Sequence, residues 1–510
     1  MNTSHESKAT APATNNQGYF RESKVSGIGP DYFTLASREG LVGLPKQLND
    51  ESSVLIQHYF TRVCKIAGCF DSKISPFRII PATMMAYSKP VCLLLQASSA
   101  AQLSRQHPKM RLKALSLQSE AFSAVRAEIT NLHGLVVPDE LILSCIIAGL
   151  TSSWYDVNDL GLCHVLGSQV LLSFWLTSKK SRLEYHQTFI LGAYVYWLAI
   201  SAFVTGDPKS SFHFQEALQG SVRNLEMTHD IVDDRDVPES QRRVFPHPLT
   251  GFSLQTFICV GKVGSLCRSA HSEAFKHLPK GADHHETLVD KATSVEAELL
   301  GLSQTRLSTF QDPQDSQTTI DEILAVGEAY RCAGLLQLYM TFPHLLQQYK
   351  RDLSNYQKCD AGEDGSFDAK SREAALGKRF TPSQHNWLRS LAFHILSILE
   401  TILPTSGTRV IQGLPVLIAA TWFVNPMNDD TFQAPFEHPR LPLRKSTKSK
   451  EDGREVVRNG LRMHERNVGL QQVSRVLEIV EEVWRTDDAG EGKCDWIILV
   501  ASKGLQTLYG

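Results

Sequence analysis

Residues 139–176 read DELILSCIIAGLTSSWYDVNDLGLCHVLGSQVLLSFWL, and this stretch predicts two apolar helices joined by a short polar turn. Pro138 followed by Asp139 and Glu140 is typical of a helix start, because proline fits the first turn and carboxylates there face the positive end of the helix dipole. Apolar residues then recur at helical spacing on both sides of the turn. The residues predicted to face the core are Leu141, Ile142, Cys145, Ile146 and Leu150 before the turn, and Leu162, Val165, Leu166 and Val170 after it.

Three residues of this stretch carry specific structural expectations. Trp154 is expected to close the junction between the two helices, and Gly167 to allow close helix approach, because only glycine has no side chain to hold a neighbour away. His164 is expected to be a hydrogen-bonded core or interface residue rather than a catalyst. On this interpretation Gly167→Leu destabilises the domain by a few kcal/mol through overpacking.

The helix, the Trp turn and the His-x-x-Gly-Ser helix together resemble the core of the fungal-specific transcription factor domain. Further segments resemble other blocks of that family in the same order, over residues 50–500. One of them is PHPLTGF at 246–252, where His247 stands in place of the family's usual acid. The others lie at 58–60 with 70–72 and 76–78, at 95–103, at 328–333, and at 414–420 before the long helix that ends at Trp484.

The resemblance implies an all-α regulatory domain that controls transcription in the nucleus of a fungus, for example at a metabolic or secondary-metabolite gene cluster. The partners it implies are the transcription machinery or a DNA-binding partner protein. Formation of a homodimer or a heterodimer is also implied. A small-molecule effector of unknown identity is also implied. No membrane partner, no enzymatic activity and no cofactor are expected.

The composition is that of a globular protein. The chain has 510 residues, of which 42% are apolar and 21% charged, and its net charge of -2 gives no overall attraction to DNA or to anionic membranes. The polar N-terminus lacks the apolar region of a secretory signal. The most apolar run, 189–204, is shorter than the ~20 residues that cross a bilayer, so we predict a buried core helix there.

The pattern along the chain predicts one domain with two insertions. Residues 1–45 show no sustained period and are predicted to form a disordered tail. Residues 46–510 are predicted to form the regulatory domain, because helical periodicity dominates and strand-like alternation is rare. Disordered insertions are predicted at 352–379 and 426–455, and polar loops at 206–214, 232–243, 279–286 and 304–319.

The ten cysteines predict reduced core thiols rather than a metal module. A fungal binuclear zinc cluster needs six cysteines in closely spaced pairs, because the thiolates must converge on the metal. The closest early pair is Cys64-x4-Cys69, and the six-cysteine run occurs nowhere in these 510 residues. We therefore expect a regulator that acts without its own zinc cluster and binds DNA weakly or not at all. The alternative is a truncated gene model whose missing exon encodes the cluster.

Two clusters of polar residues fall short of a metal site. The acidic residues Asp230, Asp233, Asp234 and Asp236 could bind Mg²⁺ in a helical terpene-type lyase, which is the enzyme alternative to a regulator. Their order is D-x-x-D-D-x-D rather than D-D-x-x-D, and Pro238 follows at once, which favours a solvated helix end. The histidines lack an H-E-x-x-H pair, although four lie close in sequence: His271, His277, His284 and His285.

Two glycine-containing segments also fall short of a phosphate-binding loop. GKVGS at 261–265 lacks the G-x-x-x-x-G-K-[ST] order and lies in a helical pattern. SGIGP at 26–30 follows no predicted strand. The sequence therefore predicts no catalytic residue, no metal ligand and no identifiable cofactor site.

For three features the sequence leaves two interpretations open. Arg331 either forms an i, i+3 ion pair with Glu328 or lines an interior pocket and contacts an effector. The basic run at 440–450, with Arg444, Lys445, Lys448 and Lys450, is either a solvated loop or a nuclear localisation signal. The apolar stripe on 470–484 either packs on the domain's own core or forms a dimer contact.

Overall fold

The computed structural model describes residues 50–509, apart from short gaps and a few longer ones. The predicted tail at 1–45, the insertion at 352–379 and the SGIGP segment at 26–30 lie outside the described residues. The positions left out within 50–509 are 133, 135, 180–181, 205–206, 228–243, 276–281, 303–309, 348, 350–379, 425–435, 444–448 and 491–494.

The first third of the described chain is a series of helices. Helix α1 passes through one π-helical turn, Tyr59–Val63, directly into α2. The helices are α1 Glu51–His58, α2 Cys64–Ala67, α3 Pro76–Met84, α4 Lys89–Leu103, α5 Met110–Thr130, α6 Asp139–Leu150, α7 Ser152–Tyr155 and α8 Leu162–Ser178.

The rest of the described chain is also helical, which confirms the predicted all-α fold. Two short strands, β1 Arg182–Leu183 and β2 Glu226–Met227, form one parallel pair. The helices are α9 Tyr185–Ser201, α10 Pro208–Arg223, α11 Leu254–Phe275, α12 Ala282–Gly301, α13 Ile320–Thr341, α14 Pro382–Glu400, α15 Gly413–Ala420, α16 Lys450–Val468, α17 Gln471–Asp488 and α18 Trp496–Lys503.

Helix α9 lies at the centre of the domain. It contacts α6 on one side and α11 on the other, and α11 packs in turn against α10 and α13. Every residue from Thr188 to Ser201 is buried, so the prediction of a core helix for the most apolar run is confirmed. Among the described helices, none combines the length and the apolarity needed to cross a membrane.

Asp139, the first residue of α6, joins three parts of the fold. Its Oδ1 accepts hydrogen bonds from Trp175 Nε1 at 2.6 Å and Lys179 Nζ at 2.7 Å, which lie at the end of α8. Its Oδ2 accepts hydrogen bonds from His186 Nε2 at 2.8 Å and Gln187 Nε2 at 3.0 Å, in the first turn of α9. The helix start predicted at Pro138-Asp139 is therefore also the point where α6, α8 and α9 meet.

The electrostatics of Asp139 follow from these bonds. Burial alone would raise its pKa, but the hydrogen bonds from His186, Lys179 and Gln187 outweigh burial and hold the pKa of this carboxyl well below its ordinary value. Asp139 is therefore charged at neutral pH. The charge is compensated within the fold by the Lys179 ammonium.

His247 stands where the resemblance to the family predicts an acidic residue. Its ring accepts the hydrogen bonds that a carboxylate would accept there. Its Nδ1 accepts hydrogen bonds from the backbone N–H groups of Leu249 and Thr250, both at 3.1 Å, as the carboxylate of an aspartate would in a turn. Its Nε2 donates to the carbonyl of Phe189 on α9 at 3.0 Å. The ring approaches α9 at Gly192, where an added Cβ would lie only 2.6 Å from it.

Helix α8 is oriented differently from the prediction. Val165 is buried as expected, but Leu162, Leu166 and Val170 are exposed. The residues that pack toward α6 are instead Val165, Ser168, Leu171, Leu172 and Trp175. Because this helix is apolar on both faces, hydrophobic periodicity could not distinguish the inner face from the outer one.

Two segments predicted to be irregular begin helices. Within 206–214, Asp207 accepts a hydrogen bond from Ser210 N at 3.1 Å and Pro208 occupies the first turn, so α10 starts there. Within 426–455, Ser449 and Asp452 form a capping box that starts α16 at Lys450. Phe436 and Leu441 in the same predicted insertion are buried, so only parts of it lie outside the described residues.

Replacement of Asp139 tests its role in the fold. We expect Asp139→Asn to lower the free energy of unfolding by about 3 kcal/mol at neutral pH, because Lys179 loses a buried partner and the donors of α8 and α9 lose theirs. The wild-type contribution is present above the unfolded-state pKa of about 4 and is lost as the pH falls through it toward the lower folded-state value. Urea unfolding measured at neutral and acidic pH should therefore show a flatter pH dependence in the variant. The control is Glu140→Gln, the adjacent carboxylate, for which we expect little change; equal losses in the two variants would contradict the role of Asp139.

Candidate functional site

A cavity of about 90 Å³ lies between elements that are far apart in the sequence; we call it the apolar cavity. Its walls come from the α1–α3 region, from α6 and α9, and from α16, α17 and the C-terminal residues. Most of its lining is aliphatic or aromatic, including Tyr59, Val63, Phe77, Ile146, Leu150, Val476 and Leu508.

One side of the apolar cavity is bounded by a small separate hydrophobic cluster. Val468, Leu470 and Val473 form this cluster at the junction of α16 and α17, and it is distinct from the main core. The half-buried side chains of Ile66, Trp154 and Val410 pack against it and also line the cavity. Trp154 lies on α7, between the two helices whose junction it was predicted to close, and it also contacts the main core.

Two polar side chains in the wall of the apolar cavity are buried without the partners such groups need. Gln472 is 4% exposed, and neither its Oε1 nor its Nε2 has a hydrogen-bond partner. His464 is 9% exposed, and no described hydrogen bond reaches its ring. An unsatisfied buried amide costs about 1–3 kcal/mol, so the fold retains Gln472 at the expense of stability.

The apolar cavity carries no charge at neutral pH. Burial and, to a smaller extent, the nearby Arg409 lower the pKa of His464 to about 4, so its imidazole is neutral. The glutamine amide is neutral as well. A bound molecule would therefore meet a mostly apolar surface that also carries neutral hydrogen-bond donors and acceptors.

The sequence-based prediction did not identify His464 or Gln472. A signal for His464 was present, because it interrupts an apolar stripe formed by Val457, Leu461 and Val468 at helical spacing on α16. That Gln472 lies beside it depends on the turn between α16 and α17, where Gly469 adopts a left-handed conformation with φ of 68°.

A second cavity, of about 330 Å³, is more polar and contains Arg331. The structure confirms the ion pair of Arg331 and places the residue in the lining of a cavity, and contact with an effector stays a prediction. Arg331 Nε and Nη2 donate to the two carboxylate oxygens of Glu328 at 2.7 and 2.6 Å, and Nη1 donates to the carbonyl of Leu299 at 3.3 Å. The ion pair is therefore present, and the same arginine lines a cavity together with Thr188, His247, Ser253, Gln255 and Glu328.

Glu328, Cys332 and His394 form the one group with metal-ligand chemistry found among the described residues. A ligand atom from each lies within 4.8 Å of the others. Both carboxylate oxygens of Glu328 are already held by Arg331, and the Cys332 thiol donates to one of them at 3.4 Å. A cation would have to displace the guanidinium, so the arrangement favours an ion pair, and the absence of a metal site stays a prediction.

The other polar segments are placed as follows. Residues 261–265 lie within α11, where the buried Lys262 donates to Gln219 at 2.5 Å and pairs with Glu298 at 3.2 Å, so this lysine is part of the core. His271 Nε2 pairs with Asp495 at 3.0 Å. The acidic cluster at 230–236 lies outside the described residues, as do the side chains of His277, His284 and His285.

The cysteines agree with the prediction of core thiols. Six of the eight described cysteines are buried, and all eight are free. Burial raises the pKa of Cys64 to about 12 and that of Cys69 further, so both remain protonated thiols. Cys163 on α8 is the exposed cysteine among those described.

The apolar stripe on 470–484 belongs to the domain's own core. Leu470, Val473, Val480 and Trp484 are buried, and Trp484 Nε1 donates to the carbonyl of Ala420 at 2.8 Å. The interpretation that this stripe packs on the domain's own chain is therefore confirmed, and its buried apolar side chains are not available for the alternative dimer contact.

His164 and Gly167 also differ from their predicted roles. The ring of His164 packs against Phe122 with centroids 4.6 Å apart, and no described hydrogen bond reaches it. Burial lowers its pKa, which favours the neutral imidazole. An added Cβ at Gly167 would meet nothing within 4 Å, so the packing role and the overpacking expected of Gly167→Leu are wrong.

Comparison with known families identifies the domain. The family model described as the fungal specific transcription factor domain matches residues 54–510, almost the whole described chain. The chain belongs to this family. The fungal-specific transcription factor domain is a regulatory domain of transcription regulators, which agrees with the resemblance seen in the sequence. No curated protein and no solved structure matched the chain.

Two buried glutamines allow a test of the apolar cavity. We expect Gln472→Leu to raise the free energy of unfolding by about 1 kcal/mol, because it removes two unsatisfied buried polar atoms at nearly constant volume. The matched control is Gln219→Leu, because the Oε1 of this buried glutamine accepts a hydrogen bond from Lys262 Nζ at 2.5 Å and its Nε2 donates to Glu298 at 2.8 Å. This second variant should lose about 1–3 kcal/mol. Thermal unfolding of both variants measures these changes. If Gln472→Leu destabilises the protein, the Gln472 amide has a hydrogen-bond partner after all.

Proposed function

We propose that residues 50–510 form the regulatory module of a fungal transcription regulator that acts through protein contacts rather than by reading DNA itself. The family match over residues 54–510 is the observation that supports this most strongly. Specific readout requires an element held in a groove with side chains at base edges, and phosphate contacts to keep it there. These 510 residues contain no six-cysteine run, and their net charge is -2. The target genes we propose are those of a metabolic or secondary-metabolite cluster.

We further propose that the module responds to a small, uncharged and mostly apolar molecule in the apolar cavity. The unpartnered amide of Gln472 and the neutral imidazole of His464 support a ligand with one hydrogen-bonding group, such as an amide or a hydroxyl. A charged group would lose its hydration without gaining a counter-charge. At about 90 Å³ the cavity admits a small molecule or only part of a larger one.

The lyase alternative has less support. Such an enzyme would need acidic residues that converge on Mg²⁺, and its candidate residues at 230–236 lie outside the described part of the chain. Incubation with Mg²⁺ and prenyl diphosphates tests it directly. Turnover that is abolished by Asp233→Ala and Asp234→Ala would contradict the regulatory proposal.

Binding to DNA is the main test of the proposal. We expect the purified chain to bind candidate promoter DNA only weakly and without sequence preference at ~150 mM salt, because phosphate contacts alone give salt-sensitive binding. A gel-shift titration with unlabelled competitor DNA measures this, with the zinc content determined in parallel. Tight binding that survives competitor, by protein free of zinc, would overturn the proposal.

Nuclear import is a separate test. We propose that the basic run at 440–450 directs the protein to the nucleus, and we expect neutralisation of Arg444, Lys445 and Lys448 to move a fluorescent fusion to the cytoplasm. Lys450 serves as the control, because its Nζ pairs with Asp488 at 3.1 Å at the start of α16. Lys450→Gln should alter stability but not location. A fusion that stays nuclear without the three other charges indicates either that the run is a solvated loop or that the protein enters the nucleus bound to a partner.

A further inference from the structure

Helix α8 presents an apolar face to solvent. Leu162, Leu166, Val170 and Phe174 recur every four residues and are 45%, 50%, 58% and 37% exposed. We call these four residues the outer stripe of α8. Large exposed apolar side chains that occur singly are ordinary, but four in one continuous row are typical of an interaction surface.

The whole of α8 lacks charge. Its sequence, LCHVLGSQVLLSFWLTS, contains no Asp, Glu, Lys or Arg, although its outer side faces water. The residues beside the outer stripe are small or polar and include Cys163, Gly167, Ser173 and Thr177. Surface helices of soluble proteins normally carry charges on the outer face, so this composition indicates a face that is covered when the protein functions.

We propose that the outer stripe of α8 binds the same stripe of a second copy of this chain, with the two helices antiparallel about a two-fold axis. The stripe is symmetric about position 168, so such an axis places Leu162 opposite Phe174 and Leu166 opposite Val170. Rows of residues spaced by four are the ridges that interdigitate when two helices cross at about -50°. A two-fold interface requires one surface to be complementary to itself, and this stripe meets that requirement.

The charge pattern and the space at Gly167 favour a second copy over a charged partner. Two identical faces repel when they carry charge, and this helix carries none. A partner recognised by charge would find no opposite charge on α8. Gly167 lies beside the centre of the stripe with open space above it, so the backbone of a facing helix can approach closely there.

The size of the surface predicts a dimer that dissociates readily. Stable dimers bury about 800 Å² on each partner, and four half-exposed side chains supply only part of that area. We therefore expect monomer and dimer to interconvert as the protein concentration changes, rather than an obligate dimer. This surface replaces the contact that the sequence had suggested at 470–484.

Sedimentation velocity of the full chain over a range of concentrations tests the proposal. We expect a concentration-dependent dimer in the wild type, and at least a tenfold weaker association in Leu166→Glu and in Val170→Glu, since each places two glutamates at the two-fold axis. The matched control is Leu112→Glu on α5, where the leucine is 78% exposed and lies outside the stripe. This control should dimerise like the wild type. Both stripe positions are exposed in the single chain, so thermal unfolding should remain close to that of the wild type.

Cross-linking of cysteine thiols tests the orientation without weakening the interface. In the proposed pairing, residues 163 of the two copies are ten positions apart along the helices, about 15 Å, which is too far for a disulfide. Residues 167 are two positions apart, about 3 Å along the axis. Because packed helix axes lie about 8–10 Å apart, these two residues are too far apart for a disulfide but within reach of a bismaleimide with a short spacer. Gly167→Cys in a Cys163→Ser background should therefore form a cross-linked dimer with that reagent. The wild type should not cross-link through Cys163.

Four results would overturn the proposal. The first is a monomer at every concentration, and the second is a dimer that both glutamate variants leave intact. The third is no cross-link at position 167. The fourth is a monomer in which a thiol reagent modifies Cys163 only after residues 1–49 are deleted, because the chain itself would then cover the stripe. If a glutamate variant unfolds, the presence or absence of the cross-link at position 167 tests the proposed interface instead.

Discussion

The carboxylate of Asp139 controls how the central helices meet. A buried charge costs several kcal/mol unless it is paired and hydrogen-bonded, so α8 and α9 must present Trp175, Lys179, His186 and Gln187 to it in one arrangement. This requirement sets the rotation of α8 about its own axis. Once the side with Trp175 faces α6, the row from Leu162 to Phe174 necessarily faces outward. The exposed stripe is therefore a consequence of how the carboxylate is satisfied.

In the apolar cavity, unlike at Asp139, a buried polar group has no hydrogen-bond partner. Some buried polar side chains of this fold satisfy one another, as Lys262 does with Gln219 and Glu298. Gln472 has no such partner, although the same position could hold a leucine of similar volume. A leucine would avoid the cost of an unsatisfied amide, and the retention of glutamine in the lining of the cavity is the reason for which we propose a ligand there.

Much of the fold could be predicted because its signals are local. Asp139 after Pro138 starts a helix through backbone geometry and the helix dipole, and the run around Tyr194 is too apolar to be anything but core. Other predictions were wrong because local rules compete. The polar segment at 206–214 contains Asp207 and Pro208, which start a helix rather than a loop. Elsewhere the sequence left two interpretations open: the stripe on 470–484 has the same spacing whether it packs on its own chain or on another, and only its burial in the fold distinguishes the two.

The sequence alone determined that this chain is helical, that its centre is an apolar helix, and that it belongs to the family of fungal transcription regulators. Helix caps, hydrophobic spacing and ordered family blocks act over a few residues, and all of them can be read in one dimension. Only the tertiary structure decided which face of α8 is free and which residues line the cavity. His464 and Gln472 meet Tyr59 and Ile146 there, although hundreds of positions separate them in the chain. Such contacts depend on how whole helices pack, and periodicity within one helix carries no information about that.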